Sequence, residues 1–132
     1  PNPDMTLTVP AATENVITFG GYDNVTNAFY PKSGRGFTRE NRIKPDMTAP
    51  AVNVYGPGIS GGYTRRTGTS VACALGAGAC AQILQWGIVE DNEPYMKNNY
   101  IKNYLIRGAE RNRDIIQVNN GDMEQLTYLT VF

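Results

Sequence analysis

Thr67-Gly68-Thr69-Ser70-Val71-Ala72 places a serine where a glycine-containing turn runs into an uncharged stretch. From Ser70 to about Trp86 the chain is built of Ala, Gly, Cys, Leu and Ile without a charge, so the pattern predicts a buried helix that Thr69 or Ser70 would N-cap. Small residues recur every fourth position at Ala72, Gly76 and Cys80, a smooth stripe that lets the helix backbone lie close against a sheet. A serine at such a junction has two readings. As a cap it satisfies one orphan amide of the first turn, and on this hexapeptide alone that is the commoner arrangement. As a nucleophile it gains from the same amides and from the positive end of the helix dipole, which stabilise the oxyanion formed when a hydroxyl attacks a carbonyl. Gly68 would then let a peptide substrate approach without meeting a Cβ.

Upstream, residues 15–23 (Asn-Val-Ile-Thr-Phe-Gly-Gly-Tyr-Asp) form a short apolar, β-branched run ended by glycines, which predicts a buried strand. Residues 24–44 are polar and carry Arg35, Arg39, Arg42 and Lys44 around Glu40; with neither strand nor helix periodicity to organise the cluster, it reads as a solvated loop rather than an anion site. Three prolines between positions 45 and 57 frame extended pieces, notably Val52-Asn53-Val54-Tyr55, and glycines 58, 61 and 62 mark the turn of a tight hairpin. Downstream, Met96, Tyr100, Ile101, Tyr104 and Leu105 fall at helical spacing with Gly108 as a C-terminal stop, predicting an amphipathic and more exposed second helix. In the tail, residues 115–118 and 126–132 flank Asn120-Gly121 and suggest a β-hairpin.

The composition narrows the chemistry. With 132 residues the chain is expected to form one domain, and 12 basic against 12 acidic residues leave no net charge to draw it to nucleic acid or to an anionic membrane. Residues 70–89 are uncharged, but Gln82, Gln85 and the polar or small residues at the start argue against a membrane span. The chain contains no histidine, so the commonest general base is missing. Cys73 and Cys80 lie seven residues apart on one helix, a rise of about 10 Å where a disulfide needs Cα atoms within about 7 Å; buried small apolar residues are the expected role. Asp4, Asp23 and Asp46 stand apart from one another and read as surface or loop-capping acids, so neither a metal site nor a cofactor is expected. The start, Pro1-Asn2-Pro3-Asp4, has no basic then apolar leader and reads as a cut through a longer chain.

Three segments in order alter the weighting at Ser70. Val16-Ile17-Thr18-Phe19-Gly20-Gly21, then Ser33-Gly34-Arg35-Gly36 leading to Lys44-Pro45-Asp46-Met47-Thr48-Ala49-Pro50, then Gly68-Thr69-Ser70-Val71-Ala72 resemble the subtilisin-like serine proteases, the subtilases. The resemblance covers roughly residues 5–110 and is nearest to the anaerobic bacterial subset that includes the Csp-type germination proteases, whose flavour the stretch Ile101-Lys102-Asn103-Tyr104-Leu105-Ile106-Arg107-Gly108-Ala109 shares. It implies an α/β fold, the C-terminal portion of a three-layer parallel-sheet domain with a buried central helix after the serine. It also implies a Ser-His-Asp mechanism in the order Asp, His, Ser, of which only Ser70 maps here, with Gly68 and Thr69 against the peptide or protein substrate. The other two members, and the family's oxyanion asparagine, are expected in an N-terminal part of the same domain; Asn2 lacks the flanking pattern and is not assigned. An extracellular or cell-envelope location follows from the resemblance alone.

The departures are Ala51, where the family has glycine after Ala-Pro, Cys73-Ala74-Leu75, where Ser-Pro-His is common, and a tail over residues 112–132 that lacks the expected closing segment. Arg65 and Arg66 precede the nucleophile turn and are candidates for the leaving side of a substrate, although hairpin arginines are more often plain surface. The competing readings are a pseudoprotease or regulatory binding module with the same fold, and an unrelated α/β binding domain in which Ser70 only caps a helix. A chain holding half of a parallel sheet exposes strand edges and an apolar helix, so self-association is expected.

Overall fold

The computed structural model describes residues 5–111 and 129–130. In chain order they form β1 (Phe19–Tyr22), β2 (Met47–Pro50), β3 (Val54–Pro57), β4 (Tyr63–Arg66), α1 (Thr69–Leu84), a π-helical turn (Gln85–Val89), α2 (Asn98–Gly108), β5 (Glu110–Arg111) and β6 (Leu129–Thr130). The main sheet has the order β1-β2-β6-β5. β1 and β2 run parallel in the register Phe19↔Met47 to Tyr22↔Pro50, β6 lies parallel to β2 at Thr48↔Thr130, and β5 closes the edge antiparallel to β6. β3 and β4 form the expected hairpin as a separate antiparallel pair.

Period-two alternation sends Met47, Ala49 and Ala51 to one face of β2 and its extension, and all three are fully buried. Met47 joins Ala79 of α1 and Ile101 and Leu105 of α2 in one cluster, while Ala49 and Ala51 meet Ala72. Both helices therefore lie on the same face of the sheet among the described residues. The small-residue stripe decides how close α1 comes: a Cβ on Gly76 would overlap the Phe19 ring, which occupies that space. The stripe runs through Ala72, Gly76 and Ala79, with Cys80 at its margin rather than in it.

Several expectations need correction. The core strand is β2, Met47–Pro50, which lies ahead of the piece at 52–55 that stands out among the proline-framed extended pieces; of that piece only Val54 and Tyr55 are strand, in the hairpin. The predicted buried helix buries only that one stripe, and Cys73, Ala74, Ala77, Gly78, Ala81 and Gln82 are exposed. Its N-cap is Gly68, with no side-chain capping hydrogen bond, so neither Thr69 nor Ser70 caps it. By length and composition Thr69–Val89 could cross a membrane, yet its small-residue stripe is closed against the sheet. Gly108 is the last helical residue of α2 rather than the stop beyond it. In the tail, β6 pairs with β2 and β5, and the predicted partner strand at 115–118 lies outside the described residues.

Lys44 and Asp46 depart furthest from their reading as loop and surface residues. Their side chains are 2% and 3% exposed and form an ion pair at 2.7 Å. Lys44 Nζ also donates to the Val16 carbonyl at 2.5 Å, and Asp46 accepts from the Thr18 backbone N–H at 2.7 Å and pairs with Lys102 of α2 at 2.5 Å. One buried carboxylate thus ties the start of β1, the start of β2 and α2 together. A buried charge persists only with such partners.

Candidate functional site

The approach to Ser70 is fixed on both sides. The Gly68 N–H donates to the Ala51 carbonyl at 2.8 Å, which anchors the turn to the end of β2, and Thr67 Oγ1 accepts from the Asn53 N–H at 2.9 Å. Gly68 has φ 154°, where a side chain is strained, and a Cβ built on it would stand 3.3 Å from Ser70 Oγ. Glycine at 68 therefore serves both the backbone and the free space beside the hydroxyl. The Val71 N–H turns back to the Gly68 carbonyl at 3.0 Å, and α1 begins.

Ser70 is exposed in the first turn of a 16-residue helix that carries no acidic residue in that turn, so nothing there neutralises the positive end. Its hydroxyl makes no hydrogen bond among the described residues and does not cap the helix. Thr69, half-buried, sits with its methyl against β1, 3.5 Å from where a Cβ on Gly21 would be. The three residues singled out in the sequence thus form one turn at the end of the parallel strands, where α/β sheets hold their ligands.

Two features beside this turn have no role assigned from the sequence. Ser33 is buried, and its Oγ accepts from the Gly21 N–H at 3.0 Å, bracing the outer edge of β1. A cleft of about 420 Å³ opens between residues 6–8, residues 31–35 and Thr69, with Ala11, Thr18 and Phe19 completing its lining. Arg65 and Arg66 are both exposed and form no ion pair among the described residues. The two cysteines are free; burial, then the nearby Cys73, push the Cys80 thiol up, and a backbone hydrogen bond only partly offsets this. No cluster of metal-ligating residues occurs among the described residues.

A serine in the first turn of a helix, beside the ends of parallel strands on which that helix packs, is an α/β arrangement. Residues 1–125 match the Subtilase family, Peptidase_S8, and the chain belongs to that family. The solved CspB protease of Clostridium perfringens superposes with a TM-score of 0.83 at 35% identity, covering 99% of this chain and 28% of that one. The self-cleaved protease domain of PatA superposes at 0.65 with 28% identity, over 83% of this chain and 39% of that one. Serine protease AprX of Bacillus subtilis is 29% identical across 83% of this chain and 28% of its own length. The site-1 protease of Mus musculus that is named for membrane-bound transcription factors is 39% identical across 80% of this chain and 10% of its own. The chain thus spans about a quarter or less of these curated relatives, and its fold is an α/β portion of the subtilisin fold.

Proposed function

We propose that this chain is the serine-bearing portion of a subtilisin-like endopeptidase, with Ser70 as nucleophile and Gly68 and Thr69 against the substrate backbone. The observation that carries this reading is the exposed, uncapped Ser70 hydroxyl at an unneutralised helix start, with space kept clear by Gly68. Ser70 Oγ attacks the scissile carbonyl carbon, and the first-turn amides and helix dipole stabilise the charge that develops on the carbonyl oxygen. The proton leaving Oγ goes to a histidine, which the 132 residues do not contain. That base, and the acid that orients it, come from a further part of the same domain.

The open flank of α1 supports the same reading. Gly76 is required by Phe19, but a Cβ on Gly78 would meet nothing within 4 Å. Ala74, Ala77, Gly78 and Ala81 form a smooth exposed face with no partner among the described residues. The remaining portion of the domain packs there in the assembled protein. Without it this chain is inactive, because in subtilisin loss of triad members leaves only roughly 10³–10⁴ of rate over water, from binding and the oxyanion hole.

The test is active-site labelling of the full-length protein with a fluorophosphonate. Expected is stoichiometric modification at Ser70, lost in Ser70→Ala, with no Ser70-dependent peptide cleavage by residues 1–132 alone. A full-length protein that folds but neither labels nor cleaves turns the assignment to a binding module with a subtilase fold. Turnover by the isolated chain that Ser70→Ala abolishes overturns the inactivity.

A further inference from the structure

We propose that the cleft ending at Thr69 seats an acidic side chain of the substrate, next to the bond that Ser70 attacks, with Lys32 and Arg35 as the groups that read it. The proposal rests on the peptidase reading of Ser70 and adds the substrate class. The cleft holds about 420 Å³ and is walled by residues 6–8, residues 31–35 and Thr69. Its lining includes two cationic residues, Lys32 and Arg35, and no acidic residue. In a chain with 12 residues of each charge, that imbalance is local to the cleft.

Neither cation is committed elsewhere by charge. Lys32 is exposed and in no ion pair among the described residues. The Arg35 guanidinium lies over the Phe29 ring, 4.8 Å from its centroid, so it is oriented by a ring face. A stacked guanidinium keeps its N–H edge for an anion, and that fork matches a carboxylate. Thr8 and Thr69 stand in the same wall.

The walls are held in place before any ligand arrives. The Arg35 N–H donates to Thr6 Oγ1 at 2.9 Å, and the Thr6 N–H donates back to the Arg35 carbonyl at 3.0 Å. Ser33 Oγ, on the Gly21 N–H, fixes the same loop to β1. Such a site binds without first ordering its own loops. Because Thr69 is the neighbour of Ser70, and an extended substrate advances about 3.3 Å per residue, the side chain that enters belongs to a position within a few residues of the scissile carbonyl. The positive end of α1 adds to the same field.

The experiment uses the full-length protein and peptides identical except for Glu, Gln or Lys scanned through the positions on either side of the cleaved bond. At one position Glu should be cleaved about tenfold better than Gln, with Lys poorest, and the gap should narrow as salt rises. Lys32→Gln should lower kcat/KM for the Glu peptide towards that of the Gln peptide, so that the ratio between the two falls towards one. Lys32→Glu should favour the Lys peptide instead. A flat scan, or an acidic preference untouched by Lys32→Glu, overturns the proposal. A Ser70→Ala protein, read by fluorescence anisotropy with the same peptides, tests the cleft without cleavage. Glu over Gln binding there with no Ser70-dependent cleavage sinks the peptidase reading alone, whereas cleavage without that binding preference sinks the cleft alone.

Discussion

Replacing Asp46 by Asn removes one charge from a side chain 3% exposed and leaves Lys44, 2% exposed, facing an amide. The variant keeps the volume and keeps an oxygen for the Thr18 N–H, so the change isolates the charge. Removing one partner of a buried pair costs about 3–5 kcal/mol, because the other charge stays buried without compensation. Lys44→Met is the informative contrast. It leaves Asp46 paired with Lys102 at 2.5 Å and bonded to Thr18, and orphans mainly the Val16 carbonyl. Its expected cost is about 1–2 kcal/mol. Lys102 is 30% exposed, so its own share is at most about 1 kcal/mol.

The assay is urea unfolding followed by the fluorescence of Trp86, the single tryptophan, whose ring meets Tyr104 of α2 edge-on with centroids 5.6 Å apart. With m of about 2 kcal/mol/M, Asp46→Asn should lower the midpoint by roughly 1.5–2.5 M and Lys44→Met by less than about 1 M. The double variant should fall short of the sum, since it removes both halves of the pair. An Asp46→Asn midpoint within about 0.3 M of the parent, or Lys44→Met costing more than Asp46→Asn, refutes the claim that this carboxylate holds two strands and a helix together.

Gly68→Ala adds strain at φ 154° and sets a methyl against Ser70 Oγ; fluorophosphonate labelling of the full-length protein should drop at least tenfold, about 1.4 kcal/mol or more, while Gly56→Ala, with nothing near, should leave it unchanged. Gly76→Ala must displace the Phe19 ring and should cost about 1–3 kcal/mol in unfolding free energy, whereas Gly78→Ala should be neutral or stabilising in the isolated chain by up to about 1 kcal/mol. Cys73 is exposed and Cys80 half-buried with its thiol pushed up by burial, so alkylation near pH 8 should mark Cys73 first; the raised value suppresses the Cys80 thiolate at that pH, and equal rates refute it. The isolated chain should elute in sizing chromatography as a concentration-dependent oligomer through the open flank of α1, and a monomer at high concentration counts against that.

The hairpin, both helices and the turn before Ser70 are legible in the sequence because each has local punctuation: glycines at 58, 61 and 62, apolar spacing at Ile101 and Leu105, and Gly68 before an uncharged run. What escapes is whatever depends on a partner far along the chain. Lys44 and Asp46 look like loop charges because their partners are distant: Val16 lies 28 residues from Lys44, and Thr18 and Lys102 lie 28 and 56 residues from Asp46. The cleft escapes for the same reason, since its walls are joined by pairs such as Thr6 and Arg35, 29 residues apart.

The departure at Ala51 shows how such a pair can be read once both halves are visible. A methyl where the family has glycine counts against the resemblance when position 51 is read alone. In the fold Ala51 is fully buried, and its Cβ lies 2.6 Å from the place where a Cβ on Gly21 would stand. One methyl fits between the strands at that level, and this chain carries it on the β2 side. Gly21→Ala alone should therefore overpack the junction and cost about 1–3 kcal/mol. Gly21→Ala with Ala51→Gly moves the methyl across and should recover most of that loss. The two single variants and the double form a cycle whose coupling, expected at 1 kcal/mol or more on the scale of about 0.5–3 kcal/mol for touching residues, urea unfolding can measure. Additivity within about 0.3 kcal/mol would mean that the two positions do not share the space.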